Sequence, residues 1–198
     1  FLDQFEHVYA SQPLEAGINE LRLDVPVNAF VGPLFARFRF SSQGGLAPTG
    51  LAVDGEVEDH IIEIFSNSPP VLTVPGPQVV DEDVPSPIAG ISVFDADAGS
   101  LPIAVTLTVL NGTLTVNTSV SNGLVPADIQ GNGTGQVVLT GTQTQISNTL
   151  AHATGLVYQT VSNFNGDDLL TVVADDLGNF GTGGAREDRG TVPLTVLP

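Results

Sequence analysis

The chain has 198 residues with 22 acidic side chains against five basic ones, all arginine, and it contains no lysine, cysteine, methionine or tryptophan. A net charge of −17 repels phosphate backbones and anionic lipid heads, which argues against nucleic acid or a membrane surface as partner. Without cysteine there is no disulfide, thiol catalysis or thiolate metal site, and without lysine no Schiff base, phosphate-loop lysine or isopeptide staple. No apolar run approaches the roughly 20 residues of a membrane span, so no membrane insertion is expected.

Along the chain the hydrophobic period is almost everywhere two, the signature of strands with one buried face. Leu21, Leu23 and Val25 alternate with Arg22 and Asp24, predicting a first strand. Leu34, Ala36, Phe38 and Phe40 alternate with Phe35, Arg37 and Arg39. An acidic strand follows, with Asp54, Glu56 and Glu58 on one face, and cross-strand pairing of Arg37 and Arg39 with two of its Glu is expected. The apolar run Ile61 to Phe65 then gives way to Ser66-Asn67-Ser68-Pro69-Pro70, which reads as a stiff proline connector. Val105, Leu107 and Val109 form a further strand, Asn111-Gly112 a predicted tight hairpin turn, and Leu114 and Val116 the return strand.

Further strands are expected at 135–140, 155–161, 168–174 and 190–197. One segment breaks the period: Thr142 to Ala153 carries Ile146 and Leu150 at helical spacing, with Thr142 as N-cap. The fold class expected is all-β, two antiparallel β-sandwich domains in tandem, the second with one short helix. The first spans 1–65, the connector 66–70 and the second domain 71–198. Charges are shared: three Arg and ten acids lie in the first, two Arg and twelve acids in the second.

Two resemblances add to this reading. Phe35-Ala36-Arg37-Phe38-Arg39-Phe40, Gly44-Gly45-Leu46 and Asp54-Gly55-Glu56-Val57-Glu58-Asp59-His60 follow one another in the order of the GEVED domain, a bacterial secreted module, which residues 1–65 resemble. In that family a strand and an Asp/Asn-rich loop usually come before this part. Phe1 to Glu6 looks like the tail of that loop, so the resemblance implies a domain lacking its first strand. Asp81-Glu82-Asp83, Val93-Phe94-Asp95-Ala96-Asp97-Ala98-Gly99, Asn163-Phe164-Asn165-Gly166-Asp167-Asp168 and Ala174-Asp175-Asp176-Leu177-Gly178-Asn179 come in the order of the bacterial cadherin-like repeats, which residues 71–198 resemble. That resemblance implies a cadherin-like or Ig-like sandwich in a long surface protein, stiffened by Ca2+, with the counterparts of Glu82, Asp95 and Asp97 as ligands near the domain ends.

The residues alone point the same way. Calcium takes six to eight oxygen ligands, and Asp95 and Asp97, separated by one residue and followed by Gly99, can turn two carboxylates onto one ion. Asp81, Glu82 and Asp83 form a second candidate group, and Asp175 with Asp176 a third. The competing reading is that Asp and Asn populate turns, where their side chains cap the backbone. Asp3 and Glu6 would be an incomplete site at most.

His7, His60 and His152 have no recurrent spacing, and no nucleophile–base pair or phosphate loop appears, so no enzyme is expected. Leu46-Ala47-Pro48-Thr49-Gly50 resembles a sortase signal but has alanine where proline is required, and reads as a loop. Three Asn-x-Ser/Thr triplets, at Asn111, Asn117 and Asn132, read as turn chemistry.

The expectation is a non-enzymatic structural or adhesive segment at a bacterial cell surface, whose partners are neighbouring domains of the same protein or like subunits. The alternatives are a subunit of an extracellular filament built by strand complementation, and an accessory module of a secreted enzyme.

Overall fold

A computed structural model describes residues 8–21 and 23–198, and the chain divides into two compact units, Phe1–Ser66 and Asn67–Pro198. Asp3, Glu6 and His7 lie outside the described residues.

In the first unit the described strands are β1 (Gly32–Phe40) and β2 (Glu56–Ile64), joined antiparallel as a two-stranded ribbon rather than a pair of packed sheets. Residues 21 and 23–25, expected as a strand, are not in one. Their alternation supplies strand propensity, but a strand needs a partner ladder, and none is offered among the described residues. The ribbon's register places Arg37 opposite Asp59 and Arg39 opposite Val57, while Glu56 and Glu58 face Phe40 and Phe38. The expected pairing of two Arg with two Glu is therefore corrected by one residue of parity, since a one-residue shift exchanges the faces of a strand.

Arg37 makes a two-pronged ion pair with Asp59, both contacts at 2.7 Å. Arg39 turns instead to the carbonyls of Ala47 and Gly50 and holds the Leu46–Gly50 loop. Asp54 lies outside the strands and accepts from the hydroxyls of Ser41 and Ser42 and from the Ser42 amide, closing the ribbon's far end. On the opposite face Phe38 packs edge-on against His60, which also contacts Glu58 at 3.0 Å.

The second unit is a β-sandwich. Its elements are β3 (Val71–Thr73), β4 (Gln78–Asp81), β5 (Ser86–Pro87), β6 (Ser92–Phe94), β7 (Pro102–Thr108) and β8 (Gly112–Val116). They continue with β9 (Ile129–Gln130), β10 (Gln136–Thr142), α1 (Gln143–Ala151), β11 (Leu156–Thr160), β12 (Gly166–Asp175) and β13 (Glu187–Leu197). One sheet runs in the order β4-β13-β12-β7-β10-β9, a second β5-β11-β8, and a two-stranded piece pairs β3 with β6. All pairs are antiparallel except β4 with β13, which run parallel.

Period two is what builds the core. Ile103, Val105 and Leu107 of β7, Val137 and Leu139 of β10, and Leu170, Val172 and Ala174 of β12 all point inward and are fully buried. They meet Leu114 of β8 and Leu156 and Tyr158 of β11, with Ile146 and Leu150 of α1 closing one side. The helix begins at Thr142, whose hydroxyl accepts from the Gln145 amide while Gln145 reaches back to the Thr142 amide, a reciprocal cap.

Asn111-Gly112 does not make the expected hairpin. β7 pairs with β10 and β12, whereas β8 pairs with β11, so the segment carries the chain from one sheet to the other. Gly112 is required for space: a Cβ there would lie 2.5 Å from the Gln159 carbonyl oxygen and 2.5 Å from the Tyr158 ring.

Candidate metal centre

The second unit's first residue is Asn67, and it is buried, with 4% of its surface exposed. Its amide donates to the Thr182 carbonyl at 2.7 Å, and its side-chain Nδ2 donates to Asp176 Oδ2 and to the Gly184 carbonyl, both at 2.7 Å. The next amide, Ser68, donates to Asp97 Oδ2 at 2.8 Å. The segment after residue 66 is thus tied by both backbone and side chain into the loops that follow β6 and β12.

Asp95 sits on the β6 side of this network and is only 1% exposed. Its Oδ1 accepts from the amides of Asp97 and Ala98, each at 3.0 Å, so one oxygen closes the turn. Helix α1 positions the loop from behind. Gln143, its first residue, accepts from the Asp95 amide at 2.7 Å and donates to the carbonyls of Asp95 and Gly99. Ser147, one turn on, bonds both the amide and the carbonyl of Val93 at 3.0 Å.

Three oxygens in this network are buried and accept no hydrogen bond from another protein group: Asn67 Oδ1, Asp95 Oδ2 and Asp97 Oδ1. A buried acceptor left unpaired costs about 1–3 kcal/mol, more when charged, and few are left so in folded proteins. Burial first, and then the neighbouring Asp97 carboxyl, hold the Asp95 carboxyl above its usual range. One oxygen from each of two neighbouring carboxyls and one amide oxygen are left without a protein donor, and hard oxygens of this kind suit calcium or magnesium. Among the described residues no three His, Cys, Asp or Glu side chains gather as a metal group. The third donor here is an amide.

The other expected ligands are placed as follows. Asp176 is 2% exposed and belongs to the same network, but both its oxygens are engaged: Oδ1 accepts from the Gly178 and Arg186 amides, Oδ2 from Asn67. Asp175 points away and accepts from the Leu177 amide at 2.8 Å. Asp81, Glu82 and Asp83 lie at the opposite end of the β12–β13 ladder, beside Leu197, and are not brought to Asp95. There Asp83, with φ of 60°, donates its amide to Thr160 and accepts from the Asn163 amide, while Glu82 accepts from Asn165. These bonds latch the turn after β4 to the 163–165 loop.

Asn67 and Gln143 are the members that sequence reasoning misses. By sequence Asn67 belongs to a connector, and Gln143 is one polar residue of a helix. A buried asparagine ahead of two prolines carries no periodic signal, and the clip between Gln143 and Asp95 spans 48 residues.

The chain matches no protein-family model and no curated protein. No helix among the described residues is long and apolar enough to cross a membrane.

Proposed function

We propose that the second unit is a calcium-stabilised structural module of a secreted bacterial surface protein, in which Asp95, Asp97 and Asn67 hold the ion. The observation that carries this reading is the trio of partnerless buried oxygens at one end of the sandwich. Three protein oxygens satisfy part of the six to eight that calcium takes. A site so sparsely supplied is weak, with a dissociation constant on the order of 10⁻⁴–10⁻³ M, adequate outside a cell where the medium supplies the ion. The resemblance of residues 71–198 to cadherin-like repeats and of 1–65 to the GEVED domain supports the same assignment.

Mechanistically, the site links three loops. Ionised Asp95 and Asp97 repel, and one oxygen of each has no protein donor; a divalent cation would supply the missing counter-charge. Because Asn67 is the first residue of the unit, the same ion would fix where the chain enters the sandwich. The role is therefore rigidity rather than catalysis.

The test is thermal unfolding with calcium and with chelator. Calcium at about 10 mM over such a dissociation constant should stabilise the second unit by about 1.4–2.7 kcal/mol, and the variant D95N/D97N should lose that response. An unchanged melting curve in calcium would sink the assignment.

A second reading, assembly of like chains by strand addition, is favoured by one feature of the first unit. Among the described residues the outer edges of β1 and β2 pair with nothing, and Phe35 and Ile61, opposite one another, are 74% and 69% exposed. Unpaired edges beside exposed apolar side chains are templates for another strand. Sedimentation that shows one monomeric species at every concentration would remove it.

A further inference from the structure

The Asn67 side chain is held by two acceptors. Its Nδ2 carries two hydrogens, and the Asp176 carboxyl and the Gly184 carbonyl each take one at 2.7 Å. Turning the amide over would aim Oδ1 at both of these oxygens and lose two hydrogen bonds, so only one orientation is compatible with the surroundings. In that orientation Oδ1 is the atom left buried and without a partner. The Asp176 carboxyl is itself locked: its Oδ1 accepts from the Gly178 amide at 2.8 Å and from the Arg186 amide at 2.9 Å.

From this we infer that Asp176 is a positioning residue and not a calcium ligand: it fixes the Asn67 amide so that Oδ1 faces the ion, acting on the cation only through Asn67. The inference rests on the calcium reading above. It differs from the sequence-based expectation, which placed Asp176 among the ligands. Residues behind the ligands commonly change metal affinity by 10- to 100-fold when removed.

The role predicts a pattern across four variants. In D176N the new side-chain amide keeps its oxygen toward the Gly178 and Arg186 amides and presents NH2 to the NH2 of Asn67. The Asn67 amide must then turn, and its oxygen leaves the site. Calcium affinity, measured by titration calorimetry on the whole chain, should fall about tenfold. N67A should fall by a similar factor, and N67A/D176N by no more than N67A alone. The exchange variant N67D/D176N restores the pairing in mirror sense. One oxygen of the carboxylate introduced at position 67 accepts from the amide introduced at position 176 and the other faces the ion, while the hydrogen bond to the Gly184 carbonyl is lost. Its affinity should rise clearly above that of D176N without reaching the parent's.

The Asn67 side-chain NH2 resonances give a second readout independent of affinity. They should move on calcium addition in the parent, and in D176N they should already differ from the parent before calcium is added, because the turned amide no longer donates to position 176 and Gly184. Additive losses in the double variant, with no recovery in the exchange variant, would make Asp176 a ligand in its own right and overturn the inference alone. A parent chain that binds no calcium would overturn the calcium reading, and this inference with it. The isosteric exchange variant guards against a result that merely reports misfolding.

Discussion

At the scale of single residues the second unit's most committed polar group is Asp168, buried at 7% exposure. It occupies an inward position of β12, two residues ahead of Leu170, in phase with Val172 and Ala174. Its carboxyl accepts from the Tyr158 hydroxyl at 2.8 Å and from the amides of Leu110, Asn111 and Leu169. Tyr158 belongs to β11 in the smaller sheet, so this bond joins the two layers. Burial, and then the adjoining Asp168 carboxyl, push the Tyr158 phenol above its usual range. Tyr158→Phe should cost about 1–2 kcal/mol, because Asp168 keeps its backbone donors. Asp168→Ala strands those donors and the Tyr158 hydroxyl together and should cost about 3 kcal/mol or more, read from urea unfolding. Gly112→Ala should destabilise by about 1–3 kcal/mol through overpacking against Tyr158. A fully tolerated alanine at 112 would contradict the close approach of β8 to β11.

At the scale of elements, helix α1 was legible and its importance was not. Ile146 and Leu150 at helical spacing and Thr142 ahead of Gln145 are local signals, and local signals survive in one sequence. Thr142→Ala should cost about 1 kcal/mol. The helix also fastens the Asp95–Gly99 loop through Gln143. On the proposed calcium reading, Gln143→Ala should therefore weaken calcium binding by more than Thr142→Ala does, a comparison that calorimetry can make with both variants folded. The strands at 135–140, 155–161, 168–174 and 190–197 were readable because each carries a buried face of period two. Three things were not readable. Asn111-Gly112 has the composition of a tight turn, yet which strand pairs with which is decided by contacts remote in sequence. Residues 21–25 alternate, but alternation does not create a partner. Arg37 and Arg39 share a face of β1 and still find different partners, because register and loop placement decide between Asp59 and the carbonyls of Ala47 and Gly50. The Asp95/Asp97 pair was visible from its spacing; Asn67 was not, since its burial follows from the path of the chain after Ser66.

At the scale of the whole molecule, the formal charge of −17 separates into groups with different physics. In the first unit, hydrogen bonds from Ser42 and then Ser41 hold the Asp54 carboxyl below the usual carboxylate range, and Arg37 does the same for Asp59. Both are depressed on folding, so their contribution is complete above the ordinary carboxylate value of 3.8 and disappears as pH falls through their lower folded values. Acidification should loosen the ribbon in that window and not before it. The Ser42 amide resonance is a suitable probe, and a shift already complete near neutral pH would contradict the assignment. In the second unit the carboxyls gather at the two ends of the β12–β13 ladder. Asp95, Asp97 and Asp176 stand at one end, and Asp81, Glu82 and Asp83 at the other. The end with orphaned oxygens invites a cation, whereas the described bonds of Glu82 and Asp83 at the other end lock a turn.

The parallel contact between β4 and β13 has a mechanical consequence. β4 lies near the start of the second unit and β13 at its end, and they run side by side with Leu194 against Gln78 and Leu197 against Asp81. Tension applied through residues 67 and 198 pulls such a pair in opposite senses along its own axis. The hydrogen bonds then resist in shear and must break together, instead of opening one after another as in a zipper. Force spectroscopy with handles at 67 and 198 should therefore give a higher rupture force than handles that peel β13 away starting at Leu197. On the proposed calcium reading, an ion held by Asn67 should add a separate, earlier event, because it would clamp the first residue through which the pull arrives.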